Sequence, residues 1–386
     1  MRFLHTSDWH LGRSFHGVDV IDHQRDIVQQ VSEIIAEHQV DALLLSGDVY
    51  DRALPAVAVV EMFNEALGRL MDAGIPIIIS SGNHDSAVRL GFGARAFERA
   101  GVHIRATVED LARPIVIPGT DFDALVYALP YLEPRLVADQ LGVQTSGHEP
   151  IVKAALNRVR GDLQERQTET DRPQVPLVMA HVFAAGGAPS ESERELSVGG
   201  VDKVSHTLFE GFAYTALGHL HGRQTLAENV RYSGSPLAYS FSEANHRKGA
   251  WLVDVDASGL VAVTEVNFLQ PRALKTLKGT IENLLVGAEF AAAEDAWVQV
   301  TVTDVEQPQR GMERLRERFP GILVYRWEPS EKREQRRYAE RVKPQASPEK
   351  VCGEFYDHVR TRALDEGETA IMQRVLTEAL TEGARR

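Results

Sequence analysis

The chain has 386 residues and a formal net charge of −13, with 43% apolar and 25% charged residues. This length predicts two or three folding units, and the apolar fraction is large enough for a sizeable core. The negative charge argues against a passive nucleic-acid coat, which would present a basic face. It does not exclude an enzyme that meets phosphates through bound cations.

Other classes are excluded by what the sequence lacks. The single cysteine, Cys352, rules out an intramolecular disulfide framework and a cysteine-based zinc site. There is no basic leader followed by an apolar stretch, and no apolar run is long enough to span a bilayer, so we expect a soluble cytoplasmic protein without membrane contact. There is also no G-x-x-x-x-G-K-[ST] loop, so we expect this chain to bind no nucleotide.

The first hundred residues alternate strands with helices. The runs MRFLHTS, VDALLLSGD and IPIIISSG are strand-sized and mostly apolar, and each ends in polar residues or glycine. Helical spacing of apolar residues predicts helices over about 18–38 and 56–73, and a third helix leads towards Gly101. Continuous apolar strands that alternate with helices are typical of a parallel sheet covered on both faces.

The rest of the chain reads as further strands, a small unit and a tail. From about Pro114 to Phe268 short strands and turns predominate. A strand in AWVQVTVTDV and a helix in QRGMERLRERF predict a small α+β unit, and after the linker KPQASP an apolar stripe predicts a helical tail. The predicted parts are a larger α/β domain over 1–270, the small α+β unit over 271–342, and a linker with helical tail over 343–386.

The stretch 309–343 is unusually basic for this acidic chain. It holds eleven lysine and arginine residues against six glutamates. One interpretation is a solvated helix face with i,i+4 ion pairs, and the other is a flap that contacts phosphates.

Polar side chains follow the predicted strands at the points where the strands end. They are Asp8 and His10, Asp48, Asn83 with His84 and Asp85, His181, and His219 with His221. In α/β sheets, ligands gather beyond the carboxyl ends of the strands. Each of these residues has a plain structural explanation on its own, such as a turn or a hydrogen-bonded core histidine. Their joint occurrence at strand ends favours one shared site.

The residue types in this set suit divalent metals. Carboxylate, amide and imidazole ligands without thiolate favour hard or borderline ions. Seven ligands exceed what one ion needs but fit two ions that share a bridging carboxylate, the arrangement that clamps attacking and leaving oxygens in phosphoryl chemistry.

These motifs resemble those of a known superfamily. D-x-H (Asp8, His10), G-D-x-x-D (47–51), G-N-H-D (82–85), His181 and G-H-x-H (218–221) are similar, in the expected order, to the calcineurin-like metallophosphoesterases. Within that superfamily, MRFLHTSDWHLGR and ALGHLHGRQ resemble the SbcD family, the nuclease subunits of bacterial SbcCD complexes. The resemblance implies a four-layer α/β/β/α sandwich, a small α+β capping domain and a helical tail that docks on an SbcC-type, SMC-like ATPase.

The resemblance also implies roles for the residues. One metal would be held by Asp8, His10 and His221. The second would be held by Asn83, His181 and His219, and Asp48 would bridge the two. Both ions would be divalent, with Mn2+ favoured over Mg2+. They would activate a water for in-line attack on a phosphodiester. His84 would stabilise the transition state or protonate the leaving oxygen, and Asp85 would orient it, unless Asp85 caps the next helix.

Two neighbouring residues depart from the related patterns. Archaeal and eukaryotic relatives carry a DNA-handling histidine where this chain has Asp51, so we expect Asp51 to support the metals instead. Arg52 resembles the phosphate-binding arginine of G-D-x-x-D-R-G phosphatases, but the closing glycine is replaced by Ala53. Arg52 is therefore only a candidate phosphate contact.

The function that the resemblance implies is a metal-dependent DNA nuclease. It would act as a double-strand exonuclease and a hairpin or single-strand endonuclease in repair, replication and recombination, as a homodimer within a heterotetramer with the ATPase. The alternatives are a phosphoesterase for small molecules or phosphoproteins, and a scaffold with a decayed site. The tail bears on this choice, because it either docks a partner or packs as a helical hairpin on its own domain.

Overall fold

A computed structural model describes residues 1–144, 147–193, 203–330, 347–360 and 362–383. The chain forms two compact units, Met1–Val302 with Pro308–Trp327, and Thr303–Gln307 with Glu328–Arg386. Among the described residues, no helix has the length and apolar character needed to cross a membrane. The domain boundaries proposed at residues 270 and 342 stay a prediction.

The first sheet of the larger unit has six strands. In spatial order they are Gly259–Asn267 (β14), Gly249–Asp256 (β13), Arg2–Thr6 (β1), Ala42–Ser46 (β2), Ile77–Ser80 (β3) and Val102–Arg105 (β4). β1 to β4 run parallel, whereas β13 is antiparallel to both β1 and β14. The apolar runs predicted as strands therefore form the centre of this sheet.

A second sheet of six strands lies in the same unit. In spatial order its strands are Gln224–Ala227 (β11), Val230–Tyr232 (β12), Tyr214–Gly218 (β10), Gln174–His181 (β7), Asp123–Ala128 (β6) and Ile115–Pro118 (β5). The four inner strands are parallel, and both edge strands are antiparallel to their neighbours. A short pair, Phe183–Ala184 (β8) with Lys203–Val204 (β9), follows β7.

Three apolar cores separate four layers. Helices Ile21–Glu37 (α1) and Val57–Met71 (α2) share one core with the first sheet, and helices Pro134–Leu141 (α5) and His148–Glu169 (α6) share another with the second sheet. The third core fills the space between the sheets. Because side chains alternate along a strand, Leu43 of β2 enters the helix-side core and Leu44 the inter-sheet core. The predicted α/β/β/α sandwich is confirmed.

The predicted third helix is broken into short pieces. Ala87–Leu90 (α3) and Ala94–Phe97 (α4) are followed by a single 3-10 turn before Gly101. Gly93 lies between them with φ of 75°, a conformation that does not continue a helix. Gly91 and Gly93, two glycines within three residues, thus divide the segment.

The small α+β region forms a third sheet. Leu274–Gly279 (β15), Trp297–Val302 (β16) and Ile322–Trp327 (β17) are parallel, and Ile281–Val286 (α7) and Gly311–Arg318 (α8) add further residues to its core. We call this region the cap sheet. It is joined to the start of the chain by an aromatic cluster that includes Phe15, Phe241 and Trp297.

Part of the basic stretch forms ion pairs. Arg310 pairs with Glu313, Arg314 with Glu282 and Arg318 with Glu294. None of these three pairs has the i,i+4 spacing of the first interpretation, because Arg310 and Glu313 are three residues apart and the other two pairs join α8 to other segments. The choice between the two interpretations therefore stays open. Residues 331–346, which hold the other part of the stretch and most of the predicted linker, lie outside the described residues.

The tail is helical, as predicted, and consists of two helices. They are Pro348–Arg360 (α9) and Glu366–Gly383 (α10), and the turn between them is held by Glu368, which pairs with Arg362 and accepts a hydrogen bond from Tyr356. Apolar side chains on both helices, Phe355, Val359, Ile371 and Val375, are more than half exposed.

Candidate dinuclear metal centre

The expected metal ligands all lie where strands of the two sheets end. β1, β2, β3, β7 and β10 carry them at their last residue or a few residues beyond it. The two sheets meet at this edge. In the second sheet, His181 at the end of β7 is paired with Gly218 at the end of β10, and the His181 ring hydrogen-bonds the carbonyl of Ser46 at the end of β2 in the first sheet. The structure therefore brings all seven side chains into one site.

Three of these side chains, Asp8, His10 and His221, form a first ligand group. Their ligand atoms lie within 4.8 Å of one another. Nε2 of His10 is 3.0 Å from Nε2 of His221. All three residues are buried, so the group directs one carboxylate and two imidazoles at the same small volume.

Asn83, His181 and His219 form a second ligand group, and Asp48 lies between the two. The side-chain oxygen of Asn83 is 2.9 Å from Nε2 of His181 and 3.1 Å from Nδ1 of His219. Oδ2 of Asp48 is 3.3 Å from Nε2 of His181 and 3.5 Å from Nε2 of His10. One carboxylate oxygen thus reaches both groups.

The backbone that carries the ligands is strained. Asp8, His10, Asp48 and His219 have φ of 53°, 45°, 49° and 108°. Positive φ in non-glycine residues costs on the order of 1–3 kcal/mol each and clusters at functional sites. Gly47, with φ of 81°, admits the approach of the two sheets, because a Cβ there would lie 2.3 Å from Nδ1 of His181.

Burial and charge act in opposite directions on the ligands. Burial lowers the pKa of His219 to about 3 and raises the pKa of Asp8 to about 6. Burial also lowers the pKa of His181, but the adjacent Asp48 carboxylate outweighs it and raises that pKa to about 9. Burial disfavours the charge of Asp48, yet His181 outweighs this and holds the pKa of Asp48 well below its usual range.

The donor set fits divalent cations. Nδ1 of His181 donates to the carbonyl of Ser46, and Nε2 of the same ring faces the oxygens of Asn83 and Asp48. The two Nε2 atoms of the first group face each other in the same way. Lone pairs that converge in a buried site need a proton or a cation between them. Imidazole and oxygen ligands without thiolate suit hard or borderline divalent ions better than a soft metal.

Comparison with known families agrees with this geometry. The family of calcineurin-like phosphoesterases matches residues 1–221. The chain belongs to the calcineurin-like phosphoesterase family. A second family, SbcD_C, described as the type 5 capsule protein repressor C-terminal domain, matches residues 270–360.

The sequence similarity to two other proteins covers most or all of this phosphoesterase. A Staphylococcus epidermidis protein named as the SbcD subunit of the nuclease SbcCD is 30% identical over 326 residues, which cover 84% of each chain. A Staphylococcus saprophyticus protein of the same name is 27% identical over 391 residues and the full length of both chains. A solved dimetal phosphatase structure from Danio rerio aligns with a TM-score of 0.38 at 11% identity, covering 70% of this chain and 99% of that one. This phosphoesterase is a metal-dependent phosphodiester hydrolase.

His84 lies beside the ligands and is held by the neighbouring loop. Its Nδ1 donates to the carbonyl oxygen of Asp51 at 2.8 Å, and its backbone N–H donates to Oδ1 of Asp48 at 2.9 Å. One of its ring nitrogens lies within 4.8 Å of ligand atoms of His10 and Asp48. The ring is thus fixed at the edge of the phosphoesterase centre.

Asp85 serves the backbone in the structure. Its carboxylate accepts hydrogen bonds from the N–H groups of Val49, Tyr50 and Gly82. It therefore joins the loop after β2 to the loop after β3, whereas the carbonyl of Asp51 orients the His84 ring. Ser86, whose side chain accepts from Arg89, is the N-cap of α3.

Asp51 and Arg52 differ in their distance from the phosphoesterase centre. Oδ1 of Asp51 is 3.6 Å from Nδ1 of His10, a buried nitrogen without a hydrogen-bond partner among the described residues. Arg52 faces the other side of the same carboxylate, but its side chain is 82% exposed. Asp51 therefore lies against an expected metal ligand, and its supporting role stays a prediction.

A buried network behind His221 is absent from the sequence prediction. Nδ1 of His221 contacts Oγ of Ser192 at 2.7 Å, and that hydroxyl donates to Glu243 at 2.8 Å. Glu243 forms a buried ion pair with Lys248, whose ammonium also donates to the carbonyl of His221 at 2.8 Å. These residues come from loops without a recognisable motif, so only their positions in space reveal them.

Proposed function

We propose that this chain is a Mn2+-dependent DNA nuclease of the SbcCD type. It acts on duplex ends as an exonuclease and on hairpins or single strands as an endonuclease, in cytoplasmic DNA repair, replication and recombination. The observation that carries the proposal is the convergence of the two ligand groups and Asp48 beside His84. The similarity to proteins named as SbcD subunits of the nuclease SbcCD, over most or all of the chain, supports the choice of substrate.

The chain's own residues have separable roles in this proposal. The first ligand group would hold one cation and the second ligand group the other, and Asp48 lies within reach of both groups. When bound, the two cations supply Lewis-acid charge and water activation for phosphodiester hydrolysis. The buried walls of the site exclude competing water from the ligands, and Asp85 keeps the two ligand loops together.

His84 moves the proton in this proposal. Its Nδ1 proton is committed to the carbonyl of Asp51, because a carbonyl oxygen can only accept. Nε2 is then the atom that faces the reaction, and in the imidazolium form it donates to the leaving 3′ oxygen or stabilises charge on the phosphate. Removal of His84 should therefore slow hydrolysis while the metal ligands remain.

The tail supports the proposed SbcC-type, SMC-like ATPase as partner. The exposed apolar side chains of α9 and α10 form a surface of the kind that docks on another helix pair. The family match over 270–360 includes α9. In the proposed assignment the cap sheet, within 271–342, contacts DNA, and residues 343–386 contact the ATPase.

A second exposed apolar surface supports a homodimer within a heterotetramer. Leu54, Val57 and Val60 at the start of α2, with Val88 and Phe92 around α3, are largely exposed. Single exposed apolar residues are common on protein surfaces, but a group of them in neighbouring segments is typical of an interaction site. A second copy of the chain is the proposed occupant.

The test is cleavage by the purified full chain with Mn2+. The substrates are a labelled duplex, a labelled hairpin and the small diester bis(p-nitrophenyl) phosphate, beside a His84→Ala variant. We expect DNA cleavage that falls by two or more orders of magnitude in the variant, on the order of a lost general acid, while Mn2+ binding measured by calorimetry is retained.

Other outcomes contradict the proposal. Rapid turnover of the small diester with intact DNA would identify a small-substrate phosphoesterase. If DNA is degraded equally by the wild type and the variant, His84 has no catalytic role. Inactivity on all three substrates, also after addition of an SbcC-type ATPase with ATP, would refute the nuclease.

A further inference from the structure

Arg13 lies beside the first ligand group. The residue follows Gly12 in the loop after β1, and its N–H donates to the carbonyl of His10 at 2.9 Å. Its guanidinium lies 5.1 Å from the centre of the Tyr239 ring. That ring is 5.6 Å from the ring of His10 and 5.9 Å from the ring of His221. One aromatic face thus places a positive charge next to two expected metal ligands.

The guanidinium of Arg13 has hydrogen-bonding capacity to spare. A guanidinium carries five N–H donors. Within the described part of the chain, Arg13 makes one side-chain hydrogen bond, 3.4 Å long, to the carbonyl of Ser192, and a loose ion pair at 3.7 Å with Asp51. Neither contact has the short, bidentate geometry of a guanidinium that is saturated by its partner.

Arg13 and Arg52 face the same carboxylate but from different environments. Nε of Arg13 and Nε of Arg52 lie 3.7 and 3.6 Å from Asp51. The side chain of Arg13 is 19% exposed and packed on Tyr239, whereas that of Arg52 is 82% exposed. An arginine side chain that is packed on an aromatic ring loses less conformational entropy when it binds a ligand than a fully solvated side chain does. Its charge is also screened less by salt in the solvent.

We propose that Arg13 binds a non-bridging phosphate oxygen of the substrate and so positions the phosphodiester in the site. The planar fork of a guanidinium matches the oxygens of a phosphate, and its positive charge offsets the negative charge of the diester. Arg13, rather than Arg52, is then the phosphate-binding arginine. This inference rests on the proposed phosphodiester hydrolysis and adds the residue that orients its substrate.

The test compares Arg13→Ala, Arg13→Lys and the matched control Arg52→Ala in the full chain loaded with Mn2+. The readouts are kcat/KM for bis(p-nitrophenyl) phosphate, affinity for inorganic phosphate by calorimetry, and Mn2+ affinity. A charge-assisted contact predicts a loss of about 10- to 100-fold in kcat/KM and in phosphate affinity for Arg13→Ala. Arg13→Lys keeps the charge but not the fork, so its loss should be intermediate. Arg52→Ala should stay within about twofold, as an exposed contact predicts.

The remaining outcomes separate the possible failures. A drop in Mn2+ affinity or thermal stability equal to the drop in phosphate affinity would show that Arg13 only supports the loop, and would overturn the inference. Equal phosphate affinity in Arg13→Ala and the wild type would overturn it as well. If the wild type hydrolyses no phosphodiester, also after addition of an SbcC-type ATPase with ATP, the proposed function fails, while phosphate binding still tests Arg13 independently.

Discussion

At the residue scale, the chain determines which nitrogen of His221 is free to bind a metal. A carboxylate oxygen can only accept, so the Ser192 hydroxyl donates to Glu243 and accepts from Nδ1–H of His221. Nε2, which faces His10, is left with its lone pair. Burial disfavours the charge of Glu243, but Lys248 and His221 outweigh it and hold the pKa of Glu243 well below its usual range. The acceptor at the end of this network therefore stays ionised.

Ser192→Ala should weaken metal binding without unfolding the chain. The substitution leaves Nδ1 of His221 without its acceptor, and the loss of such supporting contacts typically costs about 10- to 100-fold in metal affinity. Calorimetric titration with Mn2+ measures this. Ser32→Ala, which removes a hydroxyl that donates to Val28 within α1, is the control and should bind Mn2+ like the wild type. Unchanged affinity in Ser192→Ala would show that the network does not orient His221.

The site residues that could be predicted lie close to strand ends in the sequence, whereas those that were missed reach the site only through tertiary packing. Asp8, Asp48 and Asn83 each follow a strand closely in sequence, so periodicity alone places them at one sheet edge. Ser192 and Lys248 reach the site from loops 56 residues apart in the sequence, and nothing local in the sequence marks them. Arg13 is adjacent to a motif, but its contact with Tyr239 depends on tertiary packing.

At the scale of elements, apolar periodicity predicted α1 and α2 within a few residues of their observed ends. Both helices bury one apolar stripe, so their signal survives tertiary packing. The segment after β3 failed as a helix because Gly91 and Gly93 interrupt it. The pairing of the strands into two sheets was not derivable from periodicity, which says nothing about partners, and came only from the resemblance.

Gly161 in α6 provides a test of helix propensity without any change of packing. The residue is exposed, and a Cβ added there would meet no atom within 4 Å. Gly161→Ala should stabilise the chain by about 0.5–1 kcal/mol, because glycine loses more backbone entropy in a helix than alanine. Thermal unfolding should therefore occur at a slightly higher temperature. A lower unfolding temperature would mean that this part of α6 is not helical.

The cap sheet depends on Trp297 for its contact with the start of the chain. The Trp297 ring stacks on Phe15 at 5.1 Å and 19°, in a cluster completed by Val20 and Phe241. Trp297→Ala should cost about 3–5 kcal/mol, as large-to-small substitutions of buried aromatics do. Urea unfolding measures the change. Trp327→Ala, at a tryptophan that is 38% exposed, should cost clearly less; equal costs would contradict the packing described.

At the scale of the whole molecule, the site exists because two sheets end at the same edge. The first sheet contributes Asp8, His10, Asp48 and Asn83, and the second contributes His181, His219 and His221. Neither sheet alone completes a ligand group, since the first group needs His221 and the second group needs Asn83. Stability and metal binding are therefore coupled, and divalent cations should raise the unfolding temperature by mass action.

The most direct test of the dinuclear centre is a crystal structure of the Mn2+-loaded chain with an anomalous difference map at the manganese edge. The geometry predicts two peaks about 3.5–4 Å apart. One should be bounded by Asp8, His10 and His221, the other by Asn83, His181 and His219, with Asp48 touching both. A single peak, or two peaks that do not share Asp48, would contradict a centre assembled from both sheets.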